Sequence, residues 1–212
     1  MNFSPDSKSM NFFGTLVDLV RSNILWLLCC LPIFTIGAST TAMLTCLYAY
    51  KAGEPCGAKA FFQAFRKSFG KATILWLLIA FFAAMLALDY SLVAYMDFPG
   101  QMAVIVLIFF LLFALILFSG MIFPLLSQFP GTVKDMVINA VLLSLANLPK
   151  MLLVTAMNIL PVLLALLLPQ VFILSGFFWL LCGFSLIALY DIHVIEKIFV
   201  QLRVSSETQQ IP

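Results

Sequence analysis

The sequence predicts an all-α polytopic membrane protein: four full spans plus a broken N-terminal hairpin, or five spans, with interfacial amphipathic helices. Three observations carry this. The 212 residues are 64% hydrophobic and 9% charged, whereas an average soluble domain is about a quarter charged. At a mean hydropathy of +1.14, a soluble fold could not cover its own core. Five apolar segments reach or approach the ~20 residues that cross ~30 Å of hydrocarbon. Finally, the basic residues fall in alternate intervals between those segments. Residues 1–212 therefore read as one integral membrane domain. No interval is polar and long enough for a soluble domain, and neither a dense basic run nor zinc-finger spacing points to nucleic acid.

Asp6, Asp18 and Arg21 interrupt the N-terminus, so a secretory signal peptide is not expected. Leu27 and Leu28 stand where a lipobox at Cys29 needs small residues. In NFFGTLVDLVRS (11–22), Asn11, Thr15, Asp18 and Ser22 share one helical face. Phe12, Phe13, Leu16, Leu19 and Val20 lie largely on the other, the pattern of an interfacial helix.

The segment 23–50 carries two breakers at its centre, in LPIFTIGAST. Pro32 cannot donate to a helical ladder, and Gly37 can take left-handed angles. The spacing predicts non-helical backbone between them. Such backbone survives at membrane depth only where protein or a wet cavity satisfies it. Pro32, Thr35, Gly37, Ser39 and Thr40 are therefore candidates for a structural break or a ligand contact, with the Thr41 hydroxyl beside them. Two paths remain open, a single kinked span and a hairpin that enters and returns. A first helix that begins near Asn11, with Asp18 and Arg21 paired, is also compatible.

AKAFFQAFRKSFG (58–70) sets Phe61, Phe62, Phe65 and Phe69 opposite Lys59, Gln63, Arg66 and Lys67. It reads as an interfacial anchor or a docking surface for a partner, with Phe61, Phe62, Phe65, Arg66, Lys67 and Phe69 the candidate contacts. The Glu-Ala-Ala…Gly coupling pattern of ABC importer permeases is absent. Spans follow at 72–96, 101–127, 151–168 and 171–190. TVKDMVINAVLLSLANLPK (132–150) is a third amphipathic stretch; Thr132 and Asp135 form a capping-box pattern and Pro149 ends it. After 190, Ile192, Ile195, Ile198, Phe199 and Leu202 keep a helical stripe, so a stem over 191–204 is expected to leave the membrane and fray from Ser205. NILWLL (23–28) nearly repeats as TILWLL (73–78), and 132–168 is a diverged third candidate copy.

Nine of the eleven Lys and Arg lie in 51–71, 128–150 and the C-terminal stem, and none lies at 97–101 or 169–170. The positive-inside rule places the first three in the cytoplasm. Lys8 and Arg21 join them if 23–50 returns, which the charge distribution and the repeat both favour.

Chemistry-bearing residues are sparse. Asp89 is the one acid deep in an apolar run, and Asn158 precedes Pro161 in NILP; both are candidate intramembrane polar contacts. Asp89 lies about 26 Å into its segment at helical rise, which also fits an interfacial carboxylate. Ser119–Gly120 with Pro124, Ser175–Gly176 and Cys182–Gly183 read as kinks or close-packing sites. His193 and Glu196 alone make a poor metal site. Cys29, Cys30, Cys46, Cys56 and Cys182 form no CxxC and read as small packing residues. No triad, Walker A or Rossmann pattern occurs, so no catalytic residue, cofactor or metal is expected.

NILWLLCCLPIFTIGASTTAM and FFQAFRKSFGKATILWLL, that is Asn23–Trp26, Pro32–Ala38 and Phe61–Trp76, resemble the YesL-type family of bacterial membrane proteins. That resemblance implies a multi-pass inner-membrane protein of unknown function, often encoded beside carbohydrate uptake and polysaccharide utilisation genes. It implies no site residue. The expected function is a non-enzymatic accessory or scaffold for carbohydrate uptake, the alternative an independent small-molecule transporter or channel. Expected partners are the lipid bilayer, sugar-transporter subunits or a second copy of the chain.

Overall fold

The computed structural model describes the backbone of residues 8–208 apart from 55 and 97, and the side chains of 14 and 16–200 apart from the same two. The faces read at Asn11 to Phe13 and Thr15, the acid at Asp97 and the end of the tail lie outside the described residues. Every described element is helical: α1 (Lys8–Cys30), a 3-10 turn (Ile33–Thr35), α2 (Ile36–Lys51), α3 (Ala58–Ala94), α4 (Gln101–Gln128), α5 (Val133–Ala146), α6 (Leu148–Leu167) and α7 (Pro169–Leu174). A helical turn (Gly176–Phe178) and a π-helical turn (Trp179–Gly183) then lead into α8 (Phe184–Thr208). Five stretches are long and apolar enough to cross a membrane: Ile33–Lys51, Ala58–Ala94, Gln101–Gln128, Leu148–Leu167 and Gly176–Val200.

Several boundaries differ from those read in the sequence. The amphipathic stretch 11–22 and the start of the broken segment are one helix, α1. Nothing between Ser22 and Asn23 stops it, and Asp18 pairs with Arg21 one turn away, which eases carrying both charges on an apolar helix. Likewise 58–70 and 72–96 fuse into the 37 residues of α3, about 55 Å long at 1.5 Å per residue. Gly70 costs such a helix only about 1 kcal/mol and does not break it. Pro149 does not end α5; it stands in the first turn of α6, where its missing N–H is no loss. The capping box of α5 forms as expected, with Thr132 Oγ1 accepting from the Asp135 N–H and Asp135 Oδ2 accepting from the Thr132 N–H. These bonds, the Thr132 hydroxyl foremost, hold the Asp135 carboxyl below its usual range. The last helix keeps its regular backbone through Thr208 rather than fraying from Ser205.

Helices α1 and α2 are antiparallel: Trp26 meets Ser39 and Thr40 across the turn, and Leu19 shares a core with Met43 and Leu47 further along. The segment 23–50 therefore turns back on itself. The α2–α3 turn also brings Cys46 and Cys56 together as a disulfide, with Cα atoms 5.3 Å apart. This corrects the reading of all five cysteines as packing residues; Cys29, Cys30 and Cys182 are free.

The packing is concentrated at one end of the bundle. Leu47 and Phe61 pack with Leu19 and Ile192; Leu125, Met136, Met151 and Phe199 form the adjoining cluster. Lys51 pairs with Glu196 of α8, Lys71 Nζ donates to the Gly131 carbonyl at 2.7 Å, and Phe129 meets Phe199 edge-on. The helix ends that carry the basic residues thus meet at this end. At the other, α3 and α4 expose Phe81, Phe82, Leu88, Phe109 and Phe110, an apolar surface suited to lipid and not to water.

The tightest approach is at Gly37. A Cβ there would lie 2.5 Å from the Ala72 carbonyl oxygen and 2.7 Å from Trp76 Cβ, neither of which a side-chain rotation can move away. Gly37→Ala is expected to cost about 1–3 kcal/mol through overpacking, measured as a lowered unfolding midpoint in detergent. An unchanged midpoint would mean that α2 and α3 separate freely.

Candidate functional site

Two irregular stretches organise the interior. The first is the hairpin turn. The break is shorter than the sequence implies: α2 begins at Ile36, so Gly37 is helical. Among the described residues only Gly53 and Gly100 have positive φ. Gly37 serves by lacking a Cβ, not by taking left-handed angles. Thr35 Oγ1 lies 2.5 Å from the Cys29 carbonyl and 2.6 Å from that of Pro32. Ser39 Oγ donates to the Trp26 carbonyl at 2.9 Å, and Trp26 Nε1 to Thr40 Oγ1 at 3.1 Å. From α3, Trp76 Nε1 donates to the Ile33 carbonyl at 2.8 Å. The repeated ILWLL motif therefore sets its two tryptophans on either side of one turn. Thr41 Oγ1 binds back to the Gly37 carbonyl.

The second is the π-helical turn at 179–183, next to the kink read at Ser175–Gly176 and ending at Gly183. A π turn shifts the hydrogen-bond ladder and leaves backbone groups without their ordinary partners. Asn23, fully buried, answers three of them. Its Nδ2 donates to the carbonyls of Trp179 (3.0 Å) and Leu180 (2.7 Å), and its Oδ1 accepts the Ser185 N–H at 3.0 Å. Ser185 Oγ closes the link by donating to the Leu19 carbonyl. Trp179 folds over Gly183, whose absent Cβ would lie 2.4 Å from the indole ring.

Between these supports lies a cavity of about 680 Å³, walled by α2, α4, α6 and α8 with Trp26 and Trp76. Its lining is mostly apolar, including Phe123, Val162, Leu166 and Phe172. One corner is polar. Asp191 is 8% exposed, and its Oδ2 accepts from Asn158 Nδ2 at 2.7 Å. Asn158 spends its other N–H on the Val154 carbonyl at 2.9 Å. Asp191 Oδ1 and Thr155 Oγ1 are buried without a hydrogen-bond partner. The sequence places Asp191 at the start of a stem that leaves the membrane; here it is buried and bonded to α6 through Asn158. The missed signal is its position directly after an unbroken apolar run, on the flank of the stripe through Ile192 and Ile195.

Of the residues singled out in the sequence, Thr40, Asn158 and Pro161 line this cavity together with Ser119, Gly120 and Pro124. Pro32, Thr35, Gly37 and Ser39 do not; they belong to the turn. Asp89 is exposed near the end of α3, away from the cavity. The Phe-rich stripe divides: Phe61 is 1% exposed, packed with Leu47 and Ile192, whereas Phe62 is 50% exposed. Phe65 is half-buried, and Phe69, Lys59, Arg66 and Lys67 are exposed. Glu196 turns to Lys51, and no group of three His, Cys, Asp or Glu suited to a metal occurs among the described residues.

A family model described as "Protein of unknown function, DUF624" matches residues 19–90, about a third of the chain. It spans most of the α1–α2 hairpin, the disulfide and α3 as far as Tyr90, and stops before Asn158 and Asp191. The chain is thus similar, over its first helices, to proteins whose function is not assigned. No curated protein and no solved structure matches it.

Asn23→Ala would remove three hydrogen bonds between α1 and the π-helical turn with the residues that follow it. It is expected to lower stability by about 1–3 kcal/mol, followed by thermal unfolding through tryptophan emission. A variant as stable as the parent would show that the π turn does not rely on this amide.

Proposed function

We propose that the protein is a non-enzymatic, multi-pass component of the bacterial inner membrane. It works as an accessory or scaffold beside carbohydrate uptake, with its basic end and C-terminus in the cytoplasm. The observation that carries this reading is the length of α3. At about 55 Å against ~30 Å of hydrocarbon, a helix near the membrane normal extends well beyond it. The surplus is the basic third, whose exposed Lys59, Phe62, Arg66 and Phe69 recur at three- and four-residue spacing. The buried face of the same stretch is anchored by Phe61 on α2. A rigid stripe of cations and aromatic rings held outside the bilayer suits an acidic protein surface. The carbohydrate link rests on the sequence resemblance alone.

The positive-inside rule supports this orientation, since the basic helix ends share one end of the bundle. In a background lacking all five native cysteines, Tyr95→Cys should react with an impermeant maleimide on intact cells. Glu54→Cys should react only after permeabilisation. The reverse pattern would invert the topology.

The scaffold role is tested by a photo-crosslinking residue in place of Phe62 during growth on a polysaccharide. The expected product joins the chain to a subunit of a sugar importer, and Arg66→Glu with Lys67→Glu should diminish it. Adducts with lipid alone would end the proposal. A second reading, an independent carrier, is favoured by the cavity. Uptake of labelled solutes into vesicles containing only this chain separates the two, since a scaffold alone moves none of them.

A further inference from the structure

We propose that the cavity binds an amphiphile with a protonated amine head, the ammonium against Asp191 and the hydrocarbon along the apolar walls. Asp191 sets the chemistry. A buried carboxylate holding one hydrogen bond is strongly disfavoured unless a cation joins it, and carboxylates at membrane depth are found paired or on ligand pathways. No described Lys, Arg or His pairs with Asp191: Lys51 is taken by Glu196 and Arg21 by Asp18. A cationic ligand would supply the compensating charge.

The neighbours sharpen the class. Both N–H groups of Asn158 are already committed, to Asp191 and to Val154, so its free polar atom is an acceptor. Thr155 Oγ1 is unpartnered. The Asp191 and Asn158 oxygens are acceptors, and an ammonium group with three donors complements them. A sugar does not fit. Its hydroxyls need partners on several sides, but both indole N–H groups that border the cavity are spent on Thr40 and on the Ile33 carbonyl. The remaining wall offers mainly hydrocarbon. The volume of about 680 Å³ falls within the ~300–1,000 Å³ typical of single drug-sized ligands. Val162 and Leu166 at its rim are 55% and 73% exposed on the apolar part of the bundle, so a ligand dissolved in the bilayer can reach it.

The test uses the full chain in nanodiscs of phosphatidylcholine and phosphatidylglycerol, which carry no primary ammonium. Trp26 and Trp76 border the cavity and report by fluorescence. 12-Bromododecylamine should quench them saturably, with half-saturation about tenfold below that of 12-bromododecanol, the ratio expected of one charge-assisted contact. Asp191→Asn keeps the shape and should erase the preference while leaving the starting emission unchanged. Val162→Phe narrows the mouth without touching the carboxylate and should weaken the amine separately, which guards against a folding defect in the first variant. Nanodiscs containing phosphatidylethanolamine distinguish the source of the amine: competition assigns the site to a lipid headgroup, and no competition to a free amine. Equal quenching by amine and alcohol, or an amine preference that survives Asp191→Asn, would overturn the proposal.

Discussion

In a bilayer every backbone N–H and C=O must find its partner inside the protein, and the rest of this structure depends on how that demand is met. The chain departs from regular α-helix at the 31–35 turn and at 179–183, both inside apolar stretches. Each departure is supported from other helices. Trp76 of α3 serves the turn beside its own Thr35, Ser39 of α2 ties the adjoining end of α1 through the Trp26 carbonyl, and Asn23 of α1 serves the π-helical turn. Because the partners sit on α1, α2, α3 and α8, satisfying the backbone also fixes how those helices lie. Polar bonds specify the arrangement here, where hydrophobic association between lipid-exposed helices cannot.

That requirement explains the asymmetry of the bundle. The packed end contains the hairpin, the first half of α3 and the stem of α8, and there side chains interdigitate around Phe61, Met121, Met151 and Ile195. Towards the other end, α3 and α4 face outward along most of their length. The cavity lies at the transition, with its under-satisfied carboxylate on the packed side.

Much of this was legible in the sequence because it follows from local rules. The capping box at Thr132, the Asp18–Arg21 pair and the return of 23–50 need only near neighbours or charge placement. Boundaries were less so. A lone Gly70 weakens a helix without ending it, and Pro149 opens one helix as readily as it closes another. The polar site was the least legible. Asp191 meets Asn158 across 33 positions, and its burial depends on the approach of α6, which the amphipathic stripe of the stem does not reveal by itself. The Cys46–Cys56 pairing has the same origin, a reversal of the chain between two helices that spacing alone does not reveal.

The position of Asn23 also bears on biogenesis. Its partners lie 156 to 162 residues further along the chain, so α1 leaves the ribosome long before the groups it must bind. Until the last helix arrives, a primary amide stands in an apolar segment with nothing native to pair with. Closing so long a loop is slow relative to local helix formation. The hairpin and α3 can therefore settle early against Gly37, while α1 completes its docking only when translation of the final span is done. A chain truncated before Trp179 would have a first helix that is inserted but not yet held.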